Sequence, residues 1–488
     1  MENNNFKNSD ATPIISLKTQ YWLFLKQKSN VVLLALFLLA GFYALYQGFF
    51  KKNKQITTIA AFKEDKINAL DKMVSGFDAD TTKPEGKMAY NKVQSTQASN
   101  FYIVLPAYKV PMSTAIFTIG QADVFPYYYT IKVESFFMQL FKQGEIANPL
   151  RSLAGHFDTS FWLIFLLPLL IIVLTFNALS TELDNGNWRL INSQGISAKQ
   201  WLGSKFLLVG LLIEILVSII FLLGIFINYF HFHQNPTLND FLFFVGSNLY
   251  LCFWLSVLYF INTLGKNTST NALASGILWT VVCIIMPTLF TMLVEKTVQV
   301  DNTTVSRMSR RPQGSKFEND AFGIKTIKQL GKSYPQYKNA TLKPTDKTFS
   351  LAVYLAYHEL MDDTNKVIVQ QYFDKIETRQ KLTDLSCIIN PAASVDGIFT
   401  GLAANDAVAN HQFVWQTKAF HAQLHNSYYP ALFSNQSLTK KDYQNFSVFE
   451  SQNATKFSFI LLLNFLFLMA LVGGFYVLGN RKLASLVG

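Results

Sequence analysis

Six runs of about 20 apolar residues punctuate this chain, and about 20 residues is the length a helix needs to cross the hydrocarbon layer of a bilayer. They occupy residues 31–50, 161–180, 206–230, 241–264, 271–295 and 457–479. Inside lipid every backbone N–H and C=O must be satisfied within its own segment, so each run is expected to be helical. Pro168 and Pro287 fall inside the second and fifth runs, where membrane helices tolerate kinks. Of 488 residues, 50% are hydrophobic and 15% are charged, which predicts substantial soluble parts beside the spans.

Orientation follows from the short flanks, because Lys and Arg accumulate on the cytoplasmic side. Lys7, Lys18, Lys26 and Lys28 precede the first run, and Arg189, Lys199 and Lys205 join the second to the third. Lys266 joins the fourth to the fifth, Arg481 and Lys482 follow the sixth, and the 231–240 loop has neither residue type. Both termini are expected in the cytoplasm, with an N-terminal region at 1–30 and a C-terminal tail at 480–488. The long loops 51–160 and 296–456 then lie outside. The net charge of +11 is read as orientation and surface potential, with no nucleic-acid partner. The first run is too long for a signal-peptide core and no A-x-A site follows, so an uncleaved anchor is expected.

The resulting fold class is a polytopic α-helical membrane protein, six transmembrane helices with two extracytoplasmic insertions. The first insertion reads as α+β, with a helix at 56–73, a polar linker through Lys83 and Gly86, and β-favouring pieces at 101–105 and 115–119. The second reads as mainly helical, with helices at 349–382 and 404–425 and a polar, irregular stretch at 301–348. Residues 14–28 intersperse Leu17, Tyr21, Trp22 and Phe24 with lysines, the pattern of a helix lying in the membrane interface. A disordered lead-in is the alternative.

Three cysteines, Cys252, Cys283 and Cys387, supply no disulfide framework. The nearest approach to a nucleotide-binding G-x-x-x-x-G-K-[ST] is TIKQLGKS at 326–333, which lacks the first glycine and lies in an outer loop. No catalytic constellation and no cofactor are expected on this chain. His421 and His425 have the i, i+4 spacing of two metal ligands, with His411 upstream, and His358, Glu359 and Asp362 form a second cluster. Neither supplies a full ligand set, so no metal is expected. Glu214 lies deep in the third run, where a carboxylate faces a pathway or an interface, or is hydrogen-bonded for structure. Tyr127, Tyr128 and Tyr129 are read either as contacts for a substrate or as a strand packing the insertion. Gly473 and Gly474 permit close helix approach.

The segment 181–205, TELDNGNWRLINSQGISAKQWLGSK, resembles the cytoplasmic loop of ABC-2-type permeases. Glu182, Gly186, Leu190, Ile191, Ser193 and Lys205 match that loop, while Asn187 stands where Thr is usual and Gly195 where Pro is usual. The stretches 120–133, 148–158 and 390–433 are similar to a subgroup of bacterial permeases with large extracytoplasmic insertions. The resemblance implies a permease subunit of an exporter in the bacterial inner membrane. It implies a coupling helix, with Trp188, Leu190 and Ile191 as apolar anchors in a groove of a partner protein. The implied partners are a cytoplasmic ABC ATPase dimer carrying ATP and Mg, and a second permease subunit, the same or a related chain. A peptide, a lipid or a hydrophobic compound would be the cargo. A mechanotransmission protein and an ATPase-independent sensor or scaffold are the alternatives.

Overall fold

The computed structural model describes residues 17–142, 157–300, 319–452 apart from 339 and 341, and 459–487. Lys7, the stretch 148–156 and the polar residues 301–318 lie outside the described residues. Among the described residues six helices are long and apolar enough to cross a membrane, and the chain is a multi-pass helical membrane protein. They are Lys28–Asp78, Thr159–Asp184, Ala198–Phe230, Leu238–Asn262, Thr268–Thr297 and Phe459–Ala484. A short helix, Leu17–Lys26, precedes the first span, and Gln20 Nε2 donates to Ser204 Oγ at 2.6 Å at the base of the third.

The first span is far longer than the about 20 residues that a bilayer crossing needs. Lys28–Ser75 is one helix of 48 residues, about 72 Å long at 1.5 Å per residue, so the run at 31–50 and the helix read at 56–73 form a single rod. Neither Gly nor Pro occurs between Phe49 and Ser75, and nothing in that stretch interrupts the helical hydrogen bonds.

Two spans carry prolines, and each proline sits just beyond a π-turn: Trp162–Leu166 before Pro168, and Val281–Ile285 before Pro287. A proline has no N–H and strips a carbonyl behind it of its helical partner. Side chains supply the missing donors. Tyr250 Oη donates to Ile164 O at 3.0 Å, Trp279 Nε1 to Phe165 O at 3.1 Å, and Asn390 Nδ2 to Val282 O at 3.0 Å. Asn390 is fully buried and comes from the second insertion. Replacing it with Ala strands Val282 O in an apolar site, and unfolding measurements in detergent are expected to show a loss of about 1–3 kcal/mol.

Asn390 also caps the helix Pro391–Leu402, which dips from the second insertion into the bundle. Phe399 stacks on Phe243 of the fourth span at 4.0 Å between ring centroids. The first insertion plugs the same end. The 3-10 turn Ser113–Ile116 lies so close to the first span that a Cβ on Gly48 would come within 1.9 Å of Ile116 O. Phe117 is fully buried, packed on Gly224 and stacked on Phe243 at 4.9 Å. The two insertions therefore leave the bundle from one end.

Beyond the bundle the insertions fold together. Met73, Leu105, Tyr129 and Phe137 of the first share a core with Ala356, Phe413, Tyr428 and Phe433 of the second. A three-stranded sheet, order β2-β1-β3, crosses between them. β1 (Leu105–Tyr108) pairs antiparallel with β2 (Tyr128–Ile131) in the register Tyr108↔Tyr128, and parallel with β3 (Phe449–Glu450) of the second insertion. Pro106 sits in the central strand without penalty because β3 reaches only Ala107 and Tyr108, leaving Pro106 one neighbour.

Several local expectations are corrected. The piece read as β-favouring at 115–119 is part of the 3-10 plug, held by packing against the spans. The polar linker at 83–86 opens a helix, Pro84–Gln94, with Pro84 in the first turn, where its missing N–H costs nothing. The stretch read as irregular contains the helix Asp320–Ser333, capped by Asn319, whose side chain accepts from Phe322 N at 2.9 Å. TIKQLGKS is the second half of that helix and forms no phosphate-cradling loop.

Candidate functional site

At the end of the bundle opposite the insertions, the 181–205 segment makes a compact projection. Ser180–Asp184 is one helical turn and Trp188–Ser193 a slightly longer one, each followed by a left-handed glycine: Gly186 at φ +73° and Gly195 at φ +75°. Both are conformations that L side chains avoid, so these two glycines set the path of the loop. Glu182 Oε1 lies 3.6 Å from Lys205 Nζ, and Lys205 also donates to Ala178 O at 2.9 Å, which locks the loop to the start of the third span. Asp184 accepts from Thr268 N at 3.0 Å and from Thr268 Oγ1 at 2.8 Å, tying it to the fifth.

Between these anchors, Trp188 packs against the bundle core and Ile191 is half-buried. Leu190 is 65% exposed. The arrangement is a short helix held from behind, with an aliphatic side chain presented to solvent at a charged end of the bundle. All seven residues read from sequence as one unit, Glu182, Gly186, Trp188, Leu190, Ile191, Gly195 and Lys205, belong to this projection.

Glu214 occupies the middle of the third span, half-buried. Its carboxylate accepts from Ser218 Oγ at 3.1 Å and is also bonded by Asn248 of the fourth span. The aromatic run divides. Tyr129 is buried on β2 and stacks on Phe413 at 5.3 Å, so of the two readings offered for it the packing strand is the one seen. Tyr128 leans on Phe62 of the long first helix at 5.1 Å, and Tyr127 lines a surface cleft.

The two histidine clusters seen in the sequence are redistributed. Glu359 Oε2 lies 3.0 Å from His425 Nδ1, and Asp362 accepts from Ser135 Oγ and, at 2.8 Å, from Phe136 N. His358 packs against Tyr354 instead, with ring centroids at 4.3 Å, and His411 accepts from Trp415 Nε1. Among the described residues no group of three metal-ligating side chains converges. His421 Nε2 lies 2.7 Å from Glu134 O and His425 Nε2 3.1 Å from Val133 O, so both rings close the seam between the insertions.

Burial pushes Glu359 upward, but the hydrogen bond and charge of His425 outweigh it, and its carboxyl ends below the usual range. Burial raises Asp362 to about 6. Burial, aided by the neighbouring His425, holds His421 well below 6.5. A depressed histidine is neutral in the fold while the unfolded chain takes up a proton, so its contribution is present above about 6.5 and is lost as pH falls. The raised Asp362 has the opposite sign, favouring the fold as pH drops through about 6. The wild type is therefore expected to lose more thermal stability than His421→Gln between about pH 7.5 and 5.5, because Asp362 is common to both proteins.

A buried polar node, not singled out in the sequence, joins the insertions to the spans. Lys52 is 1% exposed, and its Nζ donates to Asn228 Oδ1 at 2.7 Å, Gln234 Oε1 at 2.6 Å and Ser113 O at 3.2 Å. It lies 4.9 Å from the Phe232 ring centroid. Ser113 Oγ donates to the buried Asp240 at 2.7 Å, whose Oδ2 also accepts from Thr237 N at 2.8 Å. Its one mark in the sequence is the lysine pair, Lys51 and Lys52, directly after the apolar run that ends at Phe50.

Residues 302–452 match a domain of unknown function, DUF3526. That match covers most of the second insertion, from before the helix Asp320–Ser333 to just past β3. No curated protein matches the chain, and no solved structure does.

Proposed function

We propose that the chain is the permease subunit of a bacterial ABC-2-type exporter, seated in the inner membrane with both termini in the cytoplasm and both insertions outside. ATP and Mg act on a separate ATPase dimer, and a second permease subunit completes the assembly. A peptide, a lipid or a hydrophobic compound is the cargo class, with Glu214 placed to line the path or an interface. The carrying observation is the glycine-bracketed helix Trp188–Ser193, with Leu190 exposed and the loop clamped by Glu182 and Lys205. Helix-in-groove docking needs such a presented apolar anchor on a stiff mount. The test is purification of the tagged chain from native membranes with identification of its partners. Stoichiometric recovery of an ABC ATPase supports the reading, and its absence from a folded preparation removes it.

One observation favours a second reading, mechanotransmission to an envelope partner without transport. The 48-residue helix Lys28–Ser75 runs unbroken from the bundle into the insertion domain and would carry a tilt of the spans outward. ATPase activity that no cargo stimulates, together with a partner bound to the insertion domain, separates it from export.

A further inference from the structure

Glu214 is the central residue of the 33-residue helix Ala198–Phe230, about 24 Å from either end at 1.5 Å per residue. A carboxylate facing hydrocarbon is costly unless a proton or a cation neutralises it. Glu214 is only half-buried, and its neighbours Leu211 and Ile215 are 49% and 55% exposed toward the bilayer. Its polar partners, Ser218 one turn further on and Asn248 of the fourth span, are both neutral. Among the described residues no basic side chain pairs with it. The nearest lysine on its own helix is Lys205, about 14 Å away and engaged with Glu182, and the helix Leu238–Asn262 has neither Lys nor Arg.

The two helices close on each other to either side of this carboxyl. Toward the 181–205 projection, a Cβ on Gly210 would lie 3.1 Å from Leu255 Cδ1. Toward the insertions, the rings of Phe221 and Phe244 meet at 4.8 Å between centroids. Between these contacts, over about 16 Å of the third span, Glu214, Ser218 and Asn248 are all partly exposed. Asn248 Nδ2 donates to Phe244 O at 3.0 Å, which holds its amide in place, and Cys252, one turn along the same face, is exposed. The result is a polar notch in an apolar seam, open to the bilayer.

The notch selects by charge and by solubility. An anion meets the like charge of Glu214. A hydrated metal ion needs about six oxygen ligands and finds fewer here. An organic cation with an apolar body reaches the notch from the lipid, pairs its charge with the carboxyl, and lays its body along the seam where little water has to be displaced. In so low a dielectric the pair attracts far more strongly than it would in water.

We propose that this notch binds a lipophilic organic monocation, its charge paired with Glu214 and its apolar body lying along the seam between Gly210 and Phe221. As a statement about cargo this rests on the exporter reading. As a binding site it does not, and its test contains no ATPase, so either can fail alone.

The full chain is purified in dodecyl maltoside, an uncharged detergent, and titrated with tetraphenylphosphonium by equilibrium dialysis. For a ligand of about 25 non-hydrogen atoms a Kd on the order of micromolar is expected. Tetraphenylborate, the same shape with the opposite charge, is the control. Saturable binding of the phosphonium that Glu214→Gln weakens at least about thirtyfold, with none of the borate, supports the site. Glu214→Gln is close in shape and keeps an oxygen to accept from Ser218. A second readout needs no variant. Cys252 is exposed while Cys283 and Cys387 are buried, and saturating phosphonium is expected to protect it from alkylation by N-ethylmaleimide. Absence of saturable phosphonium binding overturns the proposal, as does equal binding by Glu214→Gln, equal binding of the borate, or alkylation of Cys252 that the phosphonium leaves unchanged.

Discussion

On the docking proposed above, Leu190→Asp is expected to reduce recovery of an ABC ATPase with this chain by about thirtyfold or more, while the chain itself remains folded. Leu190 is 65% exposed, so the substitution disturbs no internal packing, and exposed changes of this kind stay within about 0.5 kcal/mol of wild type. An apolar anchor seated in a groove is another matter. Truncating such a residue typically costs 2 kcal/mol or more of binding, about thirtyfold, and a carboxylate adds the penalty of burying an unpaired charge. Asn192→Asp adds the same charge to the same helix without removing the anchor, and is expected to retain most of the partner. Pull-down stoichiometry alongside a thermal melt of each variant makes the measurement. Equal recovery from Leu190→Asp and wild type would remove the docking role of this helix.

The second large effect is expected at Lys52. Lys52→Met leaves a side chain of similar length but deletes the ammonium shared by Asn228, Gln234 and Ser113, and leaves the buried Asp240 without its cation. Breaking a buried charged network from one side costs roughly 3–5 kcal/mol, because the remaining charge is stranded in a low dielectric. Asp240→Asn in the Lys52→Met background is expected to restore part of that loss, since the amide keeps an oxygen to accept from Thr237 N and Ser113 Oγ without the charge. Denaturant unfolding of the four proteins of this cycle gives the coupling directly. A single Lys52→Met variant as stable as wild type would show that the node contributes nothing to holding the insertions on the bundle.

The spans were legible because the bilayer imposes length and apolarity on each segment by itself, and all six fall where the apolar runs place them. The segment around Glu182 and Lys205 was legible for a related reason. It was singled out by its resemblance to the cytoplasmic loop of ABC-2-type permeases, and that resemblance rests on residues within 25 positions of one another. Tyr127, Tyr128 and Tyr129 show where this kind of reading stops. Tyr128 and Tyr129 are neighbours on β2 and point to opposite faces, one leaning on the first helix and one entering the core, while Tyr127 precedes the strand and lines a cleft. Nothing in the run itself says which.

The sequence by itself determined the positions of the membrane helices and marked 181–205 as a short basic connector between two of them, because length, apolarity and flanking charge act within one stretch of chain. Tertiary structure alone decided that the two insertions share one core and one sheet. It also brought Asn390 to the carbonyl freed at Pro287, His425 to Glu359, and Lys52 to Asn228, Gln234 and Ser113. Each of those pairings joins residues between about 60 and 180 positions apart, and they are selected by shape and by the cost of leaving a buried polar group unpaired, neither of which any local pattern records.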